Sequence, residues 1–418
     1  MKPLPGLLAA CALSATAAEP TAPPAPDPLA TAREILREVP LVDGHNDLPW
    51  QYRRLNNDFS RVPLATGTTH FDPPWHTDIP RLRAGLVGGQ FWAVYVPTRL
   101  TGPEAVQGIL EQFDVVHRLC TTYPDTFELA LTAADVERIH RSGRIASLLG
   151  IEGGHALNNS LANLRMFHRL GARYLTLTHT ANTDWADAAG DVPRHGGLTA
   201  FGKEVIAELN RLGMMVDLSH VTDDVMRDAF RVSRAPVIFS HSSARALCDH
   251  PRNVPDDLLR ELRSNGGIIM VCFLPGYVTT PQRERLLAAE TERRRLQAQF
   301  PDDPERVAAL LRDWRRAQPP AAPATLADVA DHVDHLVRVA GVDHVGIGSD
   351  FDGFHGQVQG LEDVSKFPDL LAELLRRGHS RDNVKKIAGL NLLRVMRAVE
   401  AAAEKGRAAR FDTPPRPQ

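Results

Sequence analysis

The stretch LVDGHNDLPW, residues 41–50, opens as a buried strand and breaks off into polar residues: Leu41 and Val42, then Asp43, Gly44, His45, Asn46 and Asp47. Side chains alternate along an extended chain, so His45 and Asp47 share one face if the strand continues. An imidazole and a carboxylate set that way suit a metal ion. A lone H-x-D also serves as a loop hydrogen bond, so the pair by itself leaves both readings open.

Seven more apolar segments follow the same form: GGQFWAVYVP (88–97), RIASLLGIEG (144–153), RYLTLTH (173–179), GMMVDLSH (213–220), PVIFSH (236–241), GGIIMVCFLP (266–275) and HVGIGSDF (344–351). They are rich in Val, Ile, Leu and Thr, and most are bounded by Gly or Pro, as buried strands are. Amphipathic helices stand between them. Val106, Ile109, Leu110, Phe113 and Val116 recur at helical spacing, and Phe201, Val205, Leu209 and Leu212 precede a stopping Gly213. Strand–helix alternation predicts a parallel sheet with its helices outside, and eight strands are the number that closes a (β/α)8 TIM barrel. We expect residues 31–405 to be one such domain, interrupted at 279–323 by an insertion of charged helix and the Pro-rich AQPPAAPAT, and followed by a polar tail at 406–418.

The chain has 418 residues, 43% hydrophobic and 24% charged, with a formal net charge of −3. That balance lacks the basic stripe of a dedicated nucleic-acid binder, so no nucleic-acid partner is expected. Residues 1–18 resemble an export signal, with Lys2, a short apolar run and cleavage options at Ala15, Thr16 and Ala17. Within them LAAC resembles a bacterial lipobox whose Cys11 would carry a lipid anchor. Residues 19–30 form a Pro-rich linker. The protein is therefore expected to be exported, and either periplasmic or lipid-anchored to the cell envelope. Cys120, Cys248 and Cys272 form no C-x-x-C pair and are expected to be small buried side chains.

Polar residues fall at the C-terminal ends of the apolar segments. His45 and Asp47 end the first, and Glu152, His179, His220, His241 and Asp350 end others. In a closed barrel those ends converge on one face, where active sites of this architecture lie. Taken singly, each has an ordinary reading: a loop acid, a hydrogen-bonded core histidine, a turn-capping Asp. Jointly those readings require repeated coincidence of residue type and position. Three histidines, an Asp and a Glu exceed the set for one open catalytic zinc and suit two ions sharing a bridge. The remaining carboxylate, Asp350, could then handle protons, and His179 could bind substrate. His76, His117, His155 and His168 lack the placement and are expected to be surface or packing residues. GLTAFGKE is one residue short of a phosphate-binding loop, GIGSDFDG lacks the third Gly of a dinucleotide fingerprint, and neither H-E-x-x-H nor G-x-S-x-G occurs.

DGHNDLPW, GIEGGHAL, YLTLTHTANTDWAD, DLSHVT, VIFSHSSARALCDHPRNVPDDLL and HVGIGSDFDG together resemble the renal (membrane) dipeptidase family, peptidase family M19, in matching order from about Pro40 to Val399. The resemblance implies a barrel of the metallo-dependent hydrolase type and a two-zinc site that cleaves dipeptides, often with a D-residue on the C-terminal side. It implies that His45 and Asp47 hold one zinc, His220 and His241 the other, and Glu152 bridges them. Asp350 would transfer the proton, His179 would contact the scissile region, and Arg252 would grip the substrate's terminal carboxylate. A homodimer is implied too, and the lipobox points to a bacterial member. Two departures stand out. Ala181 and Thr98 occupy positions where mammalian members carry half-cystines, and no glycolipid-anchor signal ends the chain. Other hydrolases of this barrel class, acting on N-acyl amino acids, lactams or phosphoesters, remain alternatives, as does a non-enzymatic zinc-binding envelope protein; Arg252 favours a substrate with a free carboxylate.

Overall fold

The computed structural model describes Met1 and residues 27–411. Cys11, most of the Pro-rich segment and the last seven residues lie outside that span. Among the described residues nine parallel strands are present: β1 Leu41–Asn46, β2 Val87–Tyr95, β3 Phe127–Leu129, β4 Ile145–Glu152, β5 Ala172–Thr176, β6 Met215–Asp217, β7 Ile238–Phe239, β8 Ile268–Val271 and β9 Val345–Ile347. Eight of them close in the order β2-β1-β9-β8-β7-β6-β5-β4, with β4 pairing back to β2 from Gly89↔Ala146 to Tyr95↔Glu152. The result is the predicted (β/α)8 barrel. The ninth, β3, was not foreseen. It pairs only with the first three residues of β4, beside the stretch that β5 takes further on; three residues carry too little periodicity to be seen in sequence.

Alternation sorts the strand residues between two cores. Phe91, Leu148, Tyr174, Met215, Ile238, Ile268 and Met270 fill the interior, while Trp92, Leu149, Ile151, Val216, Ile269 and Ile347 face the surrounding helices. The helix Asn391–Phe411 packs Leu392, Leu393, Met396 and Val399 onto the interior cluster, which stops the end of the barrel opposite the strand C-termini. One interior position demands glycine. A Cβ on Gly150 would stand 1.8 Å from the Tyr174 ring, so the tyrosine crosses the barrel only because β4 has no side chain there.

Asp27 caps the helix Pro28–Glu38 through Leu29 N and Ala30 N, with Pro at the start where its missing N–H costs nothing. This helix begins inside the segment expected to be linker, and the helix Asn391–Phe411 runs past residue 405. Between β8 and the helix Leu326–Ala340, the helices Thr280–Gln299 and Pro304–Ala317 pack on each other through Leu296, Val307 and Leu311. They form a hairpin over the C-terminal mouth of the barrel. Among the described residues no helix is long and apolar enough to cross a membrane.

Candidate metal centre

Most of the polar residues at the mouth sit one to three positions past a strand, not within it. β1 ends at Asn46, and Asp47 is the N-cap of the helix Leu48–Arg54 with φ −95° and ψ 20°. The shared face expected for His45 and Asp47 therefore arises from a chain turning into a helix rather than from continued extension. His45 Nε2 nevertheless lies 3.3 Å from Asp47 Oδ2. His220 follows β6 at φ +73° and Asp350 follows β9 at φ +65°. Left-handed backbone at a non-glycine residue costs about 1–3 kcal/mol and persists where surrounding structure enforces it.

Glu152, the last residue of β4, organises the cluster. Its Oε1 lies 3.0 Å from Nε2 of His220, 3.5 Å from Nε2 of both His45 and His241, and 3.8 Å from Nε2 of His179. All of these side chains are buried or nearly so. Three sets have ligand atoms within 4.8 Å of one another: His45, Glu152 and His241; Glu152, His179 and His220; His45, Asp47 and Asp350. The structure thus brings together all seven histidine and carboxylate candidates.

The donors fit a metal. His45 Nε2 is buried without a hydrogen-bond partner. Its Nδ1 lies 2.9 Å from Tyr174 Oη, which in turn donates to the carbonyl of Gly44 at 3.3 Å. Nδ1 must then carry a proton, which leaves Nε2 as the nitrogen that can turn a lone pair to a metal. His241 follows the same logic. Its Nδ1 meets Ser240 Oγ at 2.8 Å, and Ser240 donates to Asp217 Oδ2 at 2.6 Å. Nε2 of His220 and His241 stand 3.0 Å apart, close to the separation of roughly 3.3 Å that two imidazoles adopt on one tetrahedral zinc with bonds of about 2.0–2.1 Å.

Electrostatics agree at His220, His241 and Glu152, whereas at His45 burial is outweighed by Tyr174, Glu152 and Asp47, which hold it well above the usual histidine range in the metal-free protein, so a metal there must displace a proton. Burial, then the charge of Arg252, holds His220 well below the usual histidine range; burial, then His45 and Arg252, does the same for His241, so both are neutral as ligands must be. Burial pushes Glu152 up, but the imidazoles of His45 and His179 outweigh it and leave the carboxyl well below its usual range. Asp350 is pushed well above that range by burial and then by the carboxylate of Asp47. A cation between them would relieve that repulsion.

Sequence reading missed two buried carboxylates that brace the loops. Asp43 accepts from Ser349 N and Oγ, each at 2.7 Å, and from Gln90 Nε2 at 2.9 Å, tying β1 to the turn after β9. Asp217 accepts from Ser240 N, Ser219 N and Thr176 Oγ1, tying β5, β6 and β7. Their signal was present: each stands two or three residues before a candidate histidine. Trp50, Tyr95 and Tyr277, also missed, line the cavity of about 810 Å³ above the cluster. His76, set aside as packing, is buried against Asp352, receiving its N–H at Nδ1 (2.9 Å).

Arg252 lies in the loop between β7 and the helix Asp256–Asn265, 5% exposed. Its Nη1 donates to Ser242 Oγ and its Nη2 to the His241 carbonyl, both at 3.3 Å, and Nε has no partner. Among the described residues it has no carboxylate partner, although it faces the cavity. A buried guanidinium left so is strongly unfavourable unless an anion arrives.

The sequence profile of membrane dipeptidase (peptidase family M19) matches residues 29–410. The chain belongs to the M19 family. As an M19 member it is a metallopeptidase of dipeptidase type, and the family's metal dependence accords with the ligand clusters above. Its relatives span kingdoms. It is 41% identical to dipeptidase ataJ of Aspergillus terreus over 409 residues, covering 91% of this chain and 89% of that one. It is also 41% identical to dipeptidase 3 of Rattus norvegicus over 380 residues, covering 90% of this chain and 68% of that one. Among solved structures, a metallopeptidase from Rhodobacter sphaeroides liganded with a phosphinate mimic of the dipeptide L-Ala-D-Ala superposes with a TM-score of 0.71, at 26% identity over 86% of this chain and 99% of that one.

Proposed function

We propose that this M19 chain is a two-zinc dipeptidase that accepts dipeptides with a D-residue on the C-terminal side. The observation that carries the reading is Glu152 Oε1 standing among four imidazole Nε2 atoms within 3.8 Å. One carboxylate oxygen so surrounded suits a bridge. His45 and Asp47 would hold one ion and His220 and His241 the other. Zinc bound there would supply Lewis-acid activation of a water and of the peptide carbonyl.

The chain's own groups do the rest. Arg252 takes the substrate's terminal carboxylate in a two-pronged grip, which fixes the scissile bond over Glu152. His179, 14% exposed at its side chain and lining the cavity, contacts the scissile region. Asp350 carries a proton to the leaving amine, a task suited to a carboxyl whose pKa burial has raised. The liganded Rhodobacter sphaeroides relative supports tolerance of a C-terminal D-residue.

The experiment is a matrix of L-L, L-D and D-L dipeptides given to metal-quantified protein, with N-acyl amino acids as the competing class because Arg252 would hold their carboxylate equally. Faster turnover of acylated amino acids than of every dipeptide would overturn the proposal. Export, lipidation at Cys11 in a bacterial host, a homodimer, and a single barrel domain at 31–405 with an insertion at 279–323 belong to the same reading.

A further inference from the structure

The cavity over the metal centre holds a second set of charges that peptide hydrolysis does not require. The helical hairpin supplies Arg285, Arg293 and Arg315 to its wall, and Arg99, beyond β2, joins them. Among the described residues Arg99, Arg285 and Arg315 pair with no carboxylate, and Arg293 reaches only Glu290, at 3.8 Å. Arg285 Nη2 donates to the backbone carbonyl of Arg315 at 3.4 Å, which ties the two helices, and both residues line the cavity. Burial, then the charges of Arg293 and Arg285, holds Arg315 below its usual range. The hairpin's own packing uses Leu296, Val307 and Leu311 and has no need of these cations. Like charges gathered in a cavity are unfavourable unless an anion meets them.

The wall's position distinguishes it from Arg252. Tyr277 lies under the Arg252 guanidinium, 5.3 Å from ring centre to carbon, and Glu290 is among the charges acting on it. Tyr95 packs on His179 at 4.7 Å between ring centres, and the cations acting on it are Arg99 and Arg293. A dipeptide gripped at its terminal carboxylate by Arg252, with its scissile bond at Glu152, extends its first residue away from Arg252 and toward Tyr95. We propose that Arg99, Arg285, Arg293 and Arg315 form a subsite for an acidic side chain on the N-terminal residue, so that preferred substrates are dipeptides beginning with Asp or Glu. This rests on the dipeptidase reading.

The test compares Asp-Ala with Asn-Ala, and Ala-Asp with Ala-Asn, by kcat/KM of the zinc-loaded protein and by calorimetric binding to zinc-loaded Asp350→Asn. Asp-Ala is expected to exceed Asn-Ala by about tenfold in both measurements. That ratio should fall toward one in the Arg293→Gln, Arg315→Gln double variant. Independently of any variant, it should shrink when salt rises from about 0.05 to about 0.5 M, because exposed charges are screened. A ratio near one in the wild type, a preference confined to the second residue, or a ratio insensitive to both salt and the double variant overturns the subsite. Tenfold tighter binding of Asp-Ala with no hydrolysis of any of the four peptides would instead overturn the dipeptidase reading and leave the subsite standing.

Discussion

Tyr174 Oη lies 2.9 Å from Nδ1 of His45, reaching from β5 across the barrel to β1. The contact keeps a proton on His45 Nδ1 and leaves Nε2, beside Glu152 and Asp47, as the nitrogen for a metal. Tyr174→Phe should therefore keep the fold and weaken metal binding about 10- to 100-fold, the usual effect of losing an outer partner of a ligating histidine. Chelator competition on the purified variant checks this, and unchanged affinity would dissociate Tyr174 from the metal site.

Gly150 makes that contact sterically feasible. Gly150→Ala places a methyl 1.8 Å from the Tyr174 ring, in a barrel interior with no room to give. A loss of about 1–3 kcal/mol or more is expected, read as a lowered midpoint in urea, together with the metal-affinity loss of Tyr174→Phe. A variant as stable as wild type would mean that the ring has another place to go.

Arg252 should discriminate by charge at the substrate's C-terminus. Arg252→Ala should lower kcat/KM on dipeptides by about 100-fold, in line with about 1.5–3 kcal/mol for a hydrogen bond to a charged group. Dipeptide amides should suffer far less. Equal losses on free acids and amides would show that Arg252 acts on the loop, through Ser242 and the His241 carbonyl, rather than on substrate.

Metal affinity should fall in acid. Asp47 is pushed up to about 6, chiefly by burial, in the metal-free protein. A protonated carboxyl must release its proton before it can ligate, so the share of affinity that Asp47 supplies is half lost near pH 6, declines further as pH drops and is fully expressed only about a unit or more above that value. Zinc titrations at pH 5, 6 and 7 measure the slope; a flat profile would remove Asp47 from the ligand set.

The barrel was legible because each of its eight strands is an apolar run ended by Gly, Pro or a polar residue, and because seven histidines and acids recur at those ends. β3 was not legible: Phe127–Leu129 is too short to show a period. Nor was the backbone at His220 and Asp350, whose positive φ comes from turns that tertiary contacts enforce. Asp47 illustrates the limit well: alternation named the right partner for His45 for the wrong geometric reason, since a helix start and not a strand carries it. Asp43 and Asp217 escaped because a bracing carboxylate and a ligating one look alike until their partners are known.

Everything turns on Glu152 as the bridge between two ions. Crystals soaked in zinc and measured at the zinc absorption edge should show two anomalous peaks about 3.5–4 Å apart, one beside His45 and Asp47 and one beside His220 and His241, with the Glu152 carboxylate between them. A vacant cluster, or one peak with Glu152 turned away, would contradict the account.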